Sequence, residues 1–164
     1  MDLKNLVADY ASKKLHGAEI DLVALSKNAE FRQEATNEVL KYIDKHQGAC
    51  VVLPSYKAYS SRNPHLAALT SDLTAEIAVK TLVTGGVNGV TNLRKKPDDV
   101  IIIKQAFRTG EHLAKDVEAL QQMRCNVSVL CLVAHSTAHL QNFGHRYGVE
   151  ISALVNVDEI RYLQ

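Results

Sequence analysis

The 164-residue chain carries 19 Lys and Arg against 18 Asp and Glu, a net charge of +1 at pH 7. Near-neutral charge, no Trp and an aromatic fraction of 5% argue against an electrostatic nucleic-acid or membrane binder and against a base-stacking platform. An apolar fraction of 46% with 23% charged residues is ordinary for a globular protein, and one compact domain over residues 1–164 is expected, burying roughly 70% of its unfolded surface.

Apolar runs reach only about five residues, too short for a membrane span. The first residues, Met1-Asp2-Leu3-Lys4-Asn5, lack the apolar core of a signal peptide. Cys50, Cys125 and Cys131 are an odd count at unrelated spacings. A reducing, cytoplasmic setting without a disulfide framework is therefore expected.

Leu3, Leu6, Val7, Tyr10 and Ala11 fall at helical spacing and predict a helix over 2–15. Ile20 to Leu25 reads as an edge strand or packed loop. Ser26 or Asn28 can cap a second helix. In it Phe31, Ala35, Val39 and Ile43 recur every four residues, and Gly48 suits its stop. Ala49 to Leu53 reads as a buried strand.

After Pro54 comes a hydroxyl-rich loop with two cations, Ser55 to Arg62, from which Ser55, Tyr56 and Lys57 are ligand candidates. Asn63-Pro64 is a good helix start. Leu66, Leu69, Leu73, Ile77 and Leu82 keep helical phase, with a kink allowed at Thr70-Ser71-Asp72. Gly85-Gly86 should end that helix. Val87 to Leu93 reads as a weak strand that ends in the cations Arg94-Lys95-Lys96, followed by a turn at Pro97-Asp98-Asp99.

Val100-Ile101-Ile102-Ile103 is the pattern of a strand buried on both faces of a parallel sheet. Polarity changes at Lys104-Gln105, and Arg108-Thr109-Gly110 precedes a helical pattern from Glu111. Strand, polar loop and helix N-terminus in that order present backbone N–H groups at a sheet's carboxyl edge, where α/β proteins hold phosphates. Leu113, Val117, Leu120 and Met123 mark the helix. A strand over 126–133, a helix within 135–147 ended near Gly148, a strand over 151–155 and a turn or helix from Asn156 or Asp158 complete the chain. Strands alternating with helices predict an α/β fold, a mostly parallel sheet of about five strands flanked by helices.

His135, His139 and His145 lack the intervening Glu and the third nearby ligand of a zinc helix, so no metal site is assigned. Neither a nucleophile elbow nor a Walker loop occurs, and no catalytic residue is assigned.

The element order and several local sequences resemble the phosphoribosyltransferases (type I), the orotate type specifically, over roughly residues 30–163. Val149 to Ile160 is similar to that family's last strand and closing helix. Val52-Leu53-Pro54-Ser55-Tyr56-Lys57 stands where the family has its pyrophosphate loop. Arg94-Lys95-Lys96 stands where it has an Arg-Lys pair ahead of a mobile catalytic loop. Val100 to Gly110 stands on its phosphoribosyl-pyrophosphate motif.

The resemblance implies two adjacent acids after the buried strand, contacting ribose hydroxyls, and a Thr/Gly run for the 5′-phosphate. This chain has Lys104-Gln105 and Arg108-Thr109-Gly110-Glu111 instead. Thr109, Gly110 and the helix start can still cradle a phosphate, and Arg108 can pair with it. Glu111 opposes an anion: like charges at about 4 Å repel by about 4 kcal/mol at an effective ε near 20. Only Pro97-Asp98-Asp99 stands where the mobile loop would be. The N-terminal hood, residues 1–25, is shortened, and His135-Ser136 replaces the family's Asp-Arg pair.

The expectation is an orotate phosphoribosyltransferase-like protein that has lost phosphoribosyl transfer and serves a binding, scaffolding or regulatory role. It would act as a homodimer, or with an active relative or another protein, and could take a phosphorylated small molecule. No cofactor is expected. The alternative is a divergent active enzyme, with magnesium, whose ligand residues would be Lys57, Arg94, Lys95, Arg108 and Thr109. A third reading is an unrelated α/β ligand-binding module.

Overall fold

The computed structural model describes residues 2–14, 17–54 and 64–160. Asp2 caps a short helix, α1 (Leu3–Ala8), by accepting from the Lys4 N–H. The helix predicted over 2–15 stops there. Residues 11–14 instead form strand β1 (Ala11–Lys14), antiparallel to β2 (Gly17–Ile20) in a separate two-stranded sheet. Three apolar residues of α1 suffice to bury its core face, and ladder bonds then take over the backbone that a longer helix would have used.

Asp21 caps α2 (Leu22–Ser26), where an edge strand or loop was expected. Asn28 caps α3 (Ala29–Asp44), accepting from the Phe31 N–H at 3.0 Å. The four-residue spacing holds: Phe31, Ala35, Val39 and Ile43 are buried. Gly48 is left-handed (φ +86°), but it stands in the turn before the next strand rather than directly at the helix end.

Strand β3 (Cys50–Leu53) is followed by α4 (Pro64–Ala78). The helix runs through Thr70 without a break. Thr70 and Thr74 bond their hydroxyls to the carbonyls of Leu66 and Thr70, so their polar groups are satisfied inside it. Leu82 falls outside it and is exposed. Strand β4 (Val83–Gly85) and the short helix α5 (Val87–Thr91) come next, correcting the strand expected over 87–93. A Cβ on Gly89 would lie 2.7 Å from Thr84 Cβ. Glycine is what lets this turn of helix fold back on β4.

Strand β5 (Asp99–Phe107), helix α6 (Glu111–Gln122), strand β6 (Asn126–Ala134), helix α7 (Thr137–Tyr147) and strand β7 (Glu150–Asn156) follow in sequence. One 3-10 turn, Val157–Glu159, succeeds β7. The five strands β3 to β7 form one parallel sheet in the order β4-β3-β5-β6-β7. β5 is its middle strand, which accounts for its unbroken apolar run.

Alternation along the strands divides the core in two. Val51, Leu53, Ile101 and Ile103 pack under α3 and α4 with Phe31, Val39 and Leu73. Cys50, Val52, Val100 and Ile102 pack under α5, α6 and α7 with Val90, Val117 and Phe143. The chain steps from β3 outward to β4, then crosses to β5 on β3's other side. That reversal opens a crevice at the carboxyl ends of β3 and β5. Among the described residues no helix is long and apolar enough to cross a membrane.

Candidate functional site

The pairing of β3 with β5 runs from Cys50–Val100 to Val52–Ile102, whereas β5 continues beside β6 to Phe107–Ala134. The last residues of β5 therefore stand at the crevice with a strand on one side only. Alternation sends neighbouring side chains to opposite faces. Gln105 turns under α4, is 3% exposed, and donates from Nε2 to Thr70 Oγ1 (2.7 Å) and Leu66 O (3.3 Å). Its Oε1 is buried with no partner among the described residues. Half-buried Lys104 turns to the α6 side. There it lines a cleft of about 210 Å³ with Phe107, Arg108, Thr109, Gly110 and Glu111.

Gly110 makes the loop's geometry. Its φ of +78° is left-handed, and it precedes α6 with no side-chain cap. A Cβ there would stand 2.7 Å from Phe107 Cε2 and 2.7 Å from Phe143 Cδ2. The two rings meet edge to face at 5.5 Å. The backbone cradle at Gly110 is thus floored by phenyl rings. On the other side of the loop, between α6 and α7, lies a second cleft of about 310 Å³ that reaches His139, Arg146 and Tyr147.

The carboxyl edge is stitched together beyond the loop. The His135 N–H and Nδ1 both bond Phe107 O, at 2.9 and 3.1 Å. A carbonyl only accepts, so the Nδ1 proton is fixed and Nε2 is a bare acceptor in the neutral ring. Nε2 is buried with no partner among the described residues. Ser136 caps α7 by accepting from the His139 N–H. Asp158 accepts from Thr137 N (2.9 Å) and Oγ1 (2.8 Å). From the β1–β2 hairpin, Glu19 Oε1 reaches Arg108 Nη1 at 3.4 Å. Both side chains are well exposed, at 43% and 60%, so the pair contributes about 0–1 kcal/mol.

Burial lowers the His135 pKa, and the Phe107 carbonyl only partly opposes it. The unfolded chain therefore takes up this proton first, near the ordinary value of about 6.5. Stability from this residue is complete above that value and is lost as pH falls through it toward the folded-state pKa. Urea unfolding of the wild type at pH 7.5, 6.5 and 5.5 is expected to show this loss, and His135→Asn to lessen it. Parallel losses in the two proteins would assign the effect elsewhere.

Of the residues singled out in the sequence, Lys104, Arg108, Thr109 and Gly110 come together. Gln105 does not join them, because its amide is held by α4. Ser55, Tyr56 and Lys57 lie outside the described residues. Arg94 and Lys95 follow α5 and precede β5, at the sheet's amino edge. Lys96 Nζ bonds Arg124 O there, and Asn126 N bonds Asp98 O. They are thus at the opposite edge from the Arg108 loop, which corrects their placement as co-ligands. Glu19 and Phe143 also belong to the Arg108 edge. Nothing local marks Glu19, 89 residues before Arg108, and Phe143 has the spacing of an ordinary core residue.

The cleft does not fit the magnesium that the resemblance associates with an active enzyme. Where the resemblance implies adjacent acids, the cleft presents the Lys104 ammonium and α4 holds the Gln105 amide, and an ammonium cannot ligate a cation. Among the described residues no group of three His, Cys, Asp or Glu could hold a metal ion. The thiols are poor ligands as well: burial pushes Cys131 up to about 12, and Cys50 and Cys125 are also buried and raised.

No protein-family model and no curated protein sequence matches this chain. Solved structures do. The UMP synthase of Leishmania donovani superposes with a TM-score of 0.66 at 19% identity over 96% of this chain, which spans 36% of that longer one. Orotate phosphoribosyltransferase from Aeropyrum pernix gives 0.63 at 14% identity, covering 96% of each chain. The APRTase of Giardia lamblia, complexed with 9-deazaadenine, gives 0.66 at 12% identity over 95% of this chain and 98% of that one. With the parallel order β4-β3-β5-β6-β7 and these superpositions, the chain has the type I phosphoribosyltransferase fold.

Proposed function

We propose that this chain does not carry out phosphoribosyl transfer and serves as a non-catalytic binding, scaffolding or regulatory protein. The observation that carries this is at Lys104 and Gln105. Where an active relative would present two carboxylates to the ribose, this cleft receives a cation. The second position is spent on a buried bond to Thr70 Oγ1 at 2.7 Å. Transfer of a phosphoribosyl group depends on stabilising charge that develops at the ribose and the departing pyrophosphate. An ammonium beside a developing cationic ribose works in the opposite sense. The action is assigned to the cytoplasm, as a homodimer or against another protein. Val79 and Leu82, 85% and 51% exposed beside edge strand β4, offer apolar surface for such a contact.

The test is incubation with phosphoribosyl pyrophosphate, magnesium and a panel of pyrimidine and purine bases, with nucleotide read by chromatography. No product above the enzyme-free background is expected. Appreciable nucleotide with any base would overturn the proposal in favour of a divergent transferase. In that case Lys57→Gln combined with Arg108→Gln should abolish turnover.

A further inference from the structure

We infer that the groove between α6 and α7 binds a planar aromatic carboxylate, at a site separate from the Lys104 cleft. The groove measures about 310 Å³ and takes no residue from β5, whereas Lys104, Ala106 and Phe107 of β5 line the other cleft. Its existence follows from side-chain size. His139, Asn142, Phe143, Arg146 and Tyr147 recur at three- and four-residue steps, so they share the stripe of α7 that faces α6. The α6 side sets Gly110 and Ala114 against them, the two smallest residues of the lining. These leave the space between the two helices unfilled. At the far end Gln121 Nε2 donates to Tyr147 O at 2.8 Å and closes the groove.

Size, shape and charge name the occupant. From His139 to Arg146 the helix α7 rises only about 10 Å, and a partner helix, about 10–12 Å across, does not enter so short a groove. The volume falls at the lower end of small-molecule pockets, roughly 300–1,000 Å³. One wall is aromatic. Phe143 meets Phe107 edge to face at 5.5 Å, and the Tyr147 ring stands 4.6 Å from Phe143 at a tilt of 37°. Such rings are complemented by a flat ring that stacks on them or meets them edge-on. The two ends carry opposite charges. Glu111 lines the end at the first turn of α6, and Arg146 the end at the last turn of α7. The Arg146 guanidinium is held over the Tyr147 ring, 5.5 Å from its centroid, and has no carboxylate partner among the described residues. An Arg stacked on an aromatic face keeps its edge N–H donors free for a carboxylate. Glu111 repels an anion from the other end and accepts an N–H there, which gives the ligand one orientation. The helix dipole also favours a cation in the last turn of α7, but it does not account for the ring beneath that cation or the groove beside it.

The chain has no Trp, so an indole ligand supplies its own fluorescence signal. The experiment titrates indole-3-acetate with the full chain and reads fluorescence anisotropy, alongside uncharged 3-methylindole. Saturable binding of indole-3-acetate is expected, about ten-fold or more tighter than 3-methylindole. Arg146→Gln should remove that difference by weakening the acid, while 3-methylindole stays within about two-fold of its wild-type affinity. Ala114→Leu puts a larger side chain into the groove without loss of helix propensity, and should abolish binding of both ligands. Thermal melts check that both variants are folded. Failure of the wild type to saturate, equal affinity for the two ligands, or unchanged binding in folded Ala114→Leu protein would overturn the inference. Sedimentation of the wild type and of Ala114→Leu covers the rival occupant. A dimer that this substitution dissociates, and that indole-3-acetate leaves intact, would assign the groove to a second copy of the chain and overturn the inference. The titration involves no turnover, so its outcome and that of the phosphoribosyl-transfer assay are independent.

Discussion

Gly110→Ala is expected to destabilise the protein by about 3 kcal/mol, from a left-handed φ with a side chain (about 1 kcal/mol) and overpacking (about 2 kcal/mol). The new methyl would enter the ring pair at 2.7 Å from both Phe107 and Phe143. The rings cannot swing freely, because Phe107 is 2% and Phe143 5% exposed. Phe143→Ala alone should cost about 4 kcal/mol, as a buried ring lost from a packed layer. The two effects should not add. With the Phe143 ring removed, half of the clash is gone, and Gly110→Ala should cost about 1 kcal/mol less than in the wild type. Urea unfolding of the two single variants and the double variant measures the coupling. Strict additivity would mean that the cradle at Gly110 is not set by the ring beneath it.

Gln105→Glu should cost about 3–5 kcal/mol near pH 8, the range found when a buried charge is left without a partner. The substitution replaces a donor amide by a carboxylate facing Leu66 O and Thr70 Oγ1, and the Thr70 hydroxyl already donates to Leu66 O. Burial must raise this acid's folded-state pKa above its unfolded value of about 4.3. The sign follows from proton uptake. Between the two pKa values the folded state binds more protons than the unfolded one, so the variant gains stability as pH falls. Below about pH 4.3 both states are protonated, and most of the electrostatic penalty is gone. Unfolding curves of variant and wild type at pH 8, 6 and 4.5 should therefore converge toward acid. A constant gap would show that a carboxylate is accommodated at this position. Convergence would show that α4 has packed this position for a neutral amide.

Much of the site was readable in one run of residues. Lys104, Arg108, Thr109 and Gly110 lie at the end of a strand, in a short loop and before a helix, so local geometry alone gathers them. Arg94 and Lys95 illustrate the limit. Their cationic character was plain, but a chain segment does not state which edge of a sheet it will occupy. The three-residue strand β4 and the helix α5 carried the chain back to the amino side before β5 began. Those elements are too short for periodicity to reveal. Gln105 shows the same limit one residue from Lys104. Alternation places the two on opposite faces, but only the docking of α4 makes one a ligand candidate and the other a buried structural bond.

The sequence by itself determined the parallel α/β architecture, because apolar runs at 50–53, 100–103 and 129–133 have to be covered on both faces. It determined α3 and α6 through their apolar spacing. The tertiary structure alone decided that the β1–β2 hairpin brings Glu19 to Arg108, that phenyl rings floor the Gly110 cradle, and that Thr70 takes Gln105 out of the cleft. The contacts made by Phe143, Thr70 and Glu19 join residues 33 to 89 positions apart in the chain. Such contacts follow from how the layers pack, which no local pattern of residues encodes.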